Sequence, residues 1–264
     1  MGLIGPAHNK PWLGVPLKRE HPLARGLVGC WLMNEGRGDK VYDLSGNGNT
    51  GTIVNAVWSG GKFGPCLYFD GTGDYVDCGA NIGNFGTADF SITAWVLAQN
   101  STTVDIVVAK GIAAAGDIAL YKTNTDDRFI FYADAGLINI GAAKTGWVNN
   151  WIHLVAIRNA ANAYLYINGI LVGTDTSAGT ANISNPHNFT IGGSEGGPTN
   201  PYIGSIDNIQ IWNRALSPSE IQQLYMTPFR MFEREPIEIW TAASYVPPAG
   251  DVGFMTLNTR YWGT

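Results

Sequence analysis

Residues 163–172 read AYLYINGILV, two alternating apolar runs on either side of Asn168-Gly169. An Asn-Gly pair in that setting specifies a tight hairpin, because both central residues of a type I′ turn take φ > 0. The period-two pattern extends well beyond this segment. Ser91–Val96 (SITAWV) puts Ile92, Ala94 and Val96 on one face, Phe129–Ala133 is an aromatic run, and Trp151–Ile157 is a buried apolar run. Phe189–Ile191 and Ile203–Trp212 supply closing strands. One helix is predicted: Ser217-Pro218-Ser219-Glu220 is a capping box with Pro at the first helical position, leading into IQQLY. Many short strands with a single helix predict an all-β fold, a two-sheet antiparallel sandwich of the jelly-roll kind.

Composition narrows the function classes. Only 14% of the 264 residues are charged, while there are 34 glycines, nine Trp, eleven Tyr and ten Phe. That balance suits strands joined by tight turns and excludes a coiled coil or a charge-driven disordered chain. A net charge of −5 gives no electrostatic reason to bind nucleic acid or anionic lipid. Cys30, Cys66 and Cys78 have no CxxC spacing and are read as small apolar fillers. The opening residues MGLIGPAHNKPWLGVPLKRE carry no signal-peptide pattern, and no apolar run is long enough to span a membrane. The expectation is a product made in a reducing cytoplasm.

Three regions separate. Residues 1–25, with Pro6, Pro11, Pro16 and Pro22, read as an extended N-terminal arm; 26–228 hold the strands; 229–264 form an aromatic tail interrupted by YVPPAG. A sugar-cleaving site needs two carboxylates flanking the scissile bond. The seven Glu are at 20, 35, 195, 220, 233, 235 and 238, and none lies in a central strand beside an acidic partner. No G-x-S-x-G, HExxH or P-loop occurs, and His153 within WIHLVA reads as a packed histidine. The Asp70–Tyr75 segment DGTGDY lacks the span and closing Glu of an EF-hand and reads as a turn. The expectation is a protein that is not an enzyme.

Five ordered blocks resemble the laminin-G-like, concanavalin A-like lectin/glucanase jelly rolls. They are Gly26–Thr52 (GLVGCWLMNEGRGDKVYDLSGNGNTGT), Lys62–Val76 (KFGPCLYFDGTGDYV), the run DFSITAWV, Trp151–Gly173 and Tyr202–Tyr225 (YIGSIDNIQIWNRALSPSEIQQLY). The resemblance implies two stacked antiparallel sheets, one concave, with variable loops at the rim. It also implies one structural Ca²⁺ where the Asn/Gly loop meets the closing strand. Carried over by position, Asp207 is the carboxylate ligand, Asn47 and Gly48 supply oxygens, and Glu35 or Asp43 completes the shell. The alternative is that Asp43 and Asn47 only make Asx-turns, with Asp207 hydrogen-bonding the loop. Asn208 stands where relatives often carry a second acid.

By the same analogy glycans are expected at the rim loops 111–117, 124–128, 146–151 and 194–202, through Trp147, Asn149, Asn200 and Tyr202. The arm (HPLARGLVGCWLMNEG) and tail (PFRMFEREP, GFMTLNTRYWGT) resemble laminin-G-like proteins encoded by bacteriophages. That implies a non-catalytic virion decoration protein, homo-oligomeric, seated on capsid or tail subunits through Phe229, Phe232, Trp240, Phe254, Tyr261 and Trp262. A bacterial carbohydrate-binding module is the alternative, and a glucanase a distant third.

Overall fold

Sixteen strands and one nine-residue helix are present among the described residues, arranged as two eight-stranded antiparallel sheets. The computed structural model describes residues 10–232 apart from 112–115, 125–127, 134–137, 143–145, 161, 177–181 and 196–199. The first sheet runs β14 (Ile170–Asp175), β13 (Asn162–Ile167), β12 (Trp151–Asn159), β7 (Phe90–Ala98), β16 (Ile203–Trp212), β5 (Pro65–Asp70) and β4 (Val57–Gly60). Its eighth strand, β1 (Leu27–Trp31), pairs with the far end of β16. The second sheet runs β11 (Ile138–Ala142), β10 (Phe129–Ala133), β9 (Ile118–Lys122), β8 (Asp105–Lys110), β15 (Phe189–Ile191), β6 (Tyr75–Asp77), β3 (Gly51–Val54) and β2 (Lys40–Val41).

The hairpin predicted at Asn168-Gly169 joins β13 to β14, with φ of 51° and 78° at the two central residues. Asn168 does more than turn the chain. Its side-chain oxygen accepts from the His153 amide at 2.8 Å, and its own amide donates to the His153 carbonyl at 2.8 Å, so the turn also fixes β12. The helix α1 (Pro218–Met226) opens on the predicted capping box, with Ser217 accepting from the Glu220 amide and Glu220 reaching back to Ser217.

Alternate residues of both sheets meet in the inter-sheet core. Trp31 from the first sheet stacks on Phe189 from the second, ring centroids 6.0 Å apart and planes 8° from parallel. Burying a side chain of this size contributes about 1.5–3 kcal/mol, so these aromatic contacts hold the layers together. Cys30, Cys66 and Cys78 are buried and unbridged, as the filler reading expects.

A second apolar cluster lies on the outer face of the first sheet. There Val155, Ile157 and Trp212 are covered by Ile221 and Leu224 of α1, by Leu23, and by Phe229, Met231 and Phe232. The described part of the arm is packed against this face. Leu23 is fully buried, the Trp212 indole donates to its carbonyl at 2.7 Å, and the Lys18 amide donates to the Met231 carbonyl at 2.9 Å. Phe229 and Phe232, expected to anchor a partner, are each only 2% exposed. Phe63 lies edge-on to the Phe229 ring at 5.3 Å, so these two side chains are spent inside their own chain. Trp240, Phe254, Tyr261 and Trp262 lie outside the described residues. No helix among the described residues is long and apolar enough to cross a membrane.

Candidate functional site

The closing strand β16 carries an irregularity at its middle. Asp207 faces Trp95 on β7, but Gln210 already faces Thr93, so an extra residue bulges between them. Asn208 takes that place with φ of 49°, a conformation Asn tolerates better than other non-glycine residues. On the opposite edge of β16, pairing with β5 stops at Ile206 and pairing with β1 resumes only at Ile209. Asp207 therefore sits at a gap between two neighbouring strands.

Lys10 fills the gap. Its ammonium lies 2.5 Å from the Asp207 carboxylate, donates to the Met33 carbonyl at 3.0 Å, and donates to the Pro65 carbonyl. The side chains of Lys10 and Asp207 are 4% and 0% exposed. Burial pushes the Asp207 carboxyl up to about 7 and pulls the Lys10 ammonium down, each shift being opposed by the charge of the other. The Glu35 carboxylate also acts on Lys10. Its Oε1 accepts from the Tyr42 amide at 2.8 Å, while its buried Oε2 has no hydrogen-bond partner among the described residues.

Asp43 belongs to a different knot. Its Oδ1 accepts from the Cys30 and Ser45 amides at 3.0 and 2.9 Å, and its Oδ2 from the backbone and side-chain nitrogens of Asn49 at 3.0 and 3.1 Å. Asn47 folds back beside it, donating to Ser45 Oγ at 3.0 Å. Gly48 is exposed, with φ of 79°. The five residues expected around a calcium ion thus divide. Asp207 pairs with a lysine on which Glu35 also acts, whereas Asp43, Asn47 and Gly48 shape a loop whose carboxylate is saturated by N–H donors. They do not fit one calcium shell; the Asx-turn reading holds for Asp43, which accepts from the Ser45 amide two residues on, but the Asn47 side chain donates its NH2 instead. Asp207 bonds the arm rather than that loop. Among the described residues no three His, Cys, Asp or Glu side chains gather as metal ligands.

The expected rim residues also divide. Tyr202 is fully buried, edge-on to Phe69 at 6.2 Å, and burial holds its hydroxyl well above the ordinary tyrosine range. It points into the core and offers nothing to a glycan. Trp147 is half-buried against the inter-sheet core. Asn149 is exposed with φ of 61°, and Asn200, with φ of 59°, accepts the Ile106 amide on its carbonyl at 3.1 Å. The Asp70–Asp74 segment is a turn as expected, closed by the Asp70 amide donating to Asp74 at 2.5 Å.

A cleft that motif reading did not single out lies beside the Asp43 loop. It measures about 320 Å³ and is lined by Val28, Asn47, Asn49, Asn213 and the run Asn81–Phe85. None of its lining residues is charged, and five are asparagines. Phe85 and Ile82 give an apolar wall, and the Phe85 ring is held by stacking on Phe90 at 4.3 Å. Asn49 and Asn84 are occupied structurally, the first by Asp43 and the second by the Ala80 carbonyl and Asn185 amide. Asn81 and Asn213 are exposed and their side-chain amides bond no described residue, while the Asn213 backbone amide donates to the Gly26 carbonyl at 2.8 Å. An amide presents donor and acceptor side by side, which is the pattern a sugar hydroxyl pair matches. The available signal in the sequence was the asparagine density at 47, 49, 81, 84 and 213, spread over three loops.

A sandwich of two antiparallel sheets with a single short helix and loop-built clefts at its ends defines the lectin-like jelly rolls. The family model described as concanavalin A-like lectin/glucanases superfamily (Laminin_G_3) matches residues 70–222, and the chain belongs to that family. No curated protein matches the chain in sequence. Among solved structures, the binding domain of Paraclostridial Mosquitocidal Protein 1 is similar with a TM-score of 0.64 at 20% identity, over 79% of this chain and 53% of that one. Trypanosoma rangeli sialidase gives 0.60 at 20% identity, over 78% and 33%. Domain 4 of the extracellular arabinanase AbnA from Geobacillus stearothermophilus, in complex with arabinotriose, gives 0.59 at 20% identity, over 75% and 98%. The chain thus spans about half of the first and a third of the second. At these identities the likeness is one of fold.

Proposed function

We propose that this jelly roll is a non-catalytic recognition module for neutral glycans, displayed on a bacteriophage particle. The observation that carries the binding reading is the uncharged cleft, lined by the exposed Asn81 and Asn213 together with Phe85. A concave, uncharged, amide-rich surface with some apolar lining suits the hydroxyl-rich face of a small neutral ligand. A similar fold crystallised with arabinotriose is consistent with it. The catalytic alternative finds no support at this site, since no carboxylate lines the cleft among the described residues.

Glycan-array screening followed by calorimetry tests the reading. The expected result is binding to at least one neutral glycan, weakened about fivefold by Asn81→Ala and again by Asn213→Ala, each removing about 1 kcal/mol of hydrogen bonding. Absence of binding across the array, or glycan hydrolysis by the purified chain, sinks it.

Display on a particle is supported by the resemblance of the arm and tail to phage-encoded relatives. Because Phe229 and Phe232 are packed internally, the anchoring segment is 233–264. Particles assembled with a chain lacking residues 233–264 are expected to lose it. Its retention at normal copy number refutes the anchoring role.

A further inference from the structure

The N-terminal arm delivers a cation to a place where the sheet needs one. At the gap between β5 and β1, three oxygens converge on the Lys10 ammonium: the Asp207 carboxylate and the carbonyls of Met33 and Pro65. Neither carbonyl can take its strand partner there, because β5 pairs with β16 only from Ile206 backwards and β1 only from Ile209 onwards. Glu35 adds a second negative charge acting on the same ammonium, and its buried Oε2 has no hydrogen-bond partner among the described residues. One carboxylate and two carbonyls in contact with a positive centre, with a second carboxylate acting on it from farther off, are the oxygen-rich surroundings of a hard cation. Here the positive centre is covalently part of the chain.

We infer that Lys10 is the resident cation of this site: its ammonium takes the place of a metal ion, fastens residues 10–25 to the sandwich, and makes the fold independent of calcium. An isolated buried carboxylate is far costlier than a paired one, so the arm and the gap stabilise each other. Three oxygens gathered on one point suit the compact charge of a lysine better than the planar fork of an arginine. The converse follows. Without the ammonium, the same oxygens become a site that an external divalent ion can enter.

The test compares wild type, Lys10→Ala and Lys10→Ala/Asp207→Asn. Trp95 lies directly across from Asp207 on β7, so it serves as the donor for sensitised terbium luminescence. Wild type is expected to show no Ca²⁺ or chelator effect on Tm and no sensitised terbium emission. Lys10→Ala is expected to gain both, with a Tm rise of about 5 °C when Ca²⁺ is about a hundredfold above its Kd. The double variant, with both charges removed, is expected to fold and to lose the ion response. Should Lys10→Ala fold only when Ca²⁺ is present, that too is the expected behaviour. The inference is overturned if Ca²⁺ raises the Tm of wild type, or if Lys10→Ala responds to neither ion while the double variant is folded.

Discussion

The His153 imidazole lies 5.1 Å from the Trp95 indole, the two rings 29° from parallel, with the Tyr225 ring of α1 within 6.2 Å of both. His153 is 1% exposed, and burial pulls its pKa down to about 3. Between that value and the ordinary 6.5 the unfolded imidazole binds a proton that the folded one refuses. Stability is therefore complete above about pH 6.5 and falls as the pH drops, by up to about 1.4 kcal/mol per unit. Between pH 7.5 and 5, urea unfolding of wild type should lose about 2 kcal/mol more than that of His153→Phe, which keeps the stack without the proton. Parallel pH profiles for the two proteins would contradict the assignment.

Asp43 ties four donors from β1 and its own loop into one knot. Asp43→Ala leaves those N–H groups to find water or go unpaired. A loss of about 3 kcal/mol in chemical denaturation is expected. Added Ca²⁺ should restore none of it, because the loop's carboxylate faces N–H donors rather than a metal.

Phe229 fills the space between Phe63 and the outer face of the first sheet. Phe229→Ala should cost the isolated chain about 3–4 kcal/mol, read as a lowered urea midpoint at unchanged m. An unchanged midpoint would return this side chain to the role of a partner anchor.

The described residues that line the cleft beside Asn81 and Asn213 carry no charge. Glycan affinity measured there should stay constant as salt rises from about 0.05 to about 0.5 M, a range over which charge-driven binding weakens strongly. A steep salt slope would assign the binding to another surface.

The hairpin at Asn168-Gly169, the capping box at Ser217 and the alternation through 91–96 and 203–212 were legible because each is a local device, complete within a few residues. β8 and β9 were harder to see. Their sequences DIVVAK and IALYK are buried on nearly every residue, so the polar beat that marks a half-exposed strand is missing. The pairing of Lys10 with Asp207 was not legible at all. It joins a proline-rich arm to the last strand, and nothing in either segment's periodicity points to the other. Tyr202 misled for a related reason. A tyrosine just before a strand looks like a loop aromatic, and only the closing of β16 over Phe69 turns it inward.

β1 sits at one end of the chain and its partner segment, Ile209–Trp212, near the other. During synthesis the first strand leaves the ribosome with one edge unsatisfied and waits while residues 32–208 are made, roughly 10–40 s at about 5–20 residues per second. The first sheet cannot close on a partial chain, so nascent chains arrested before residue 209 should be readily cleaved by protease while those carrying α1 resist. Among the described strands, order in time thus runs opposite to order in sequence: β1 is made before its partner segment and locked only once that segment arrives.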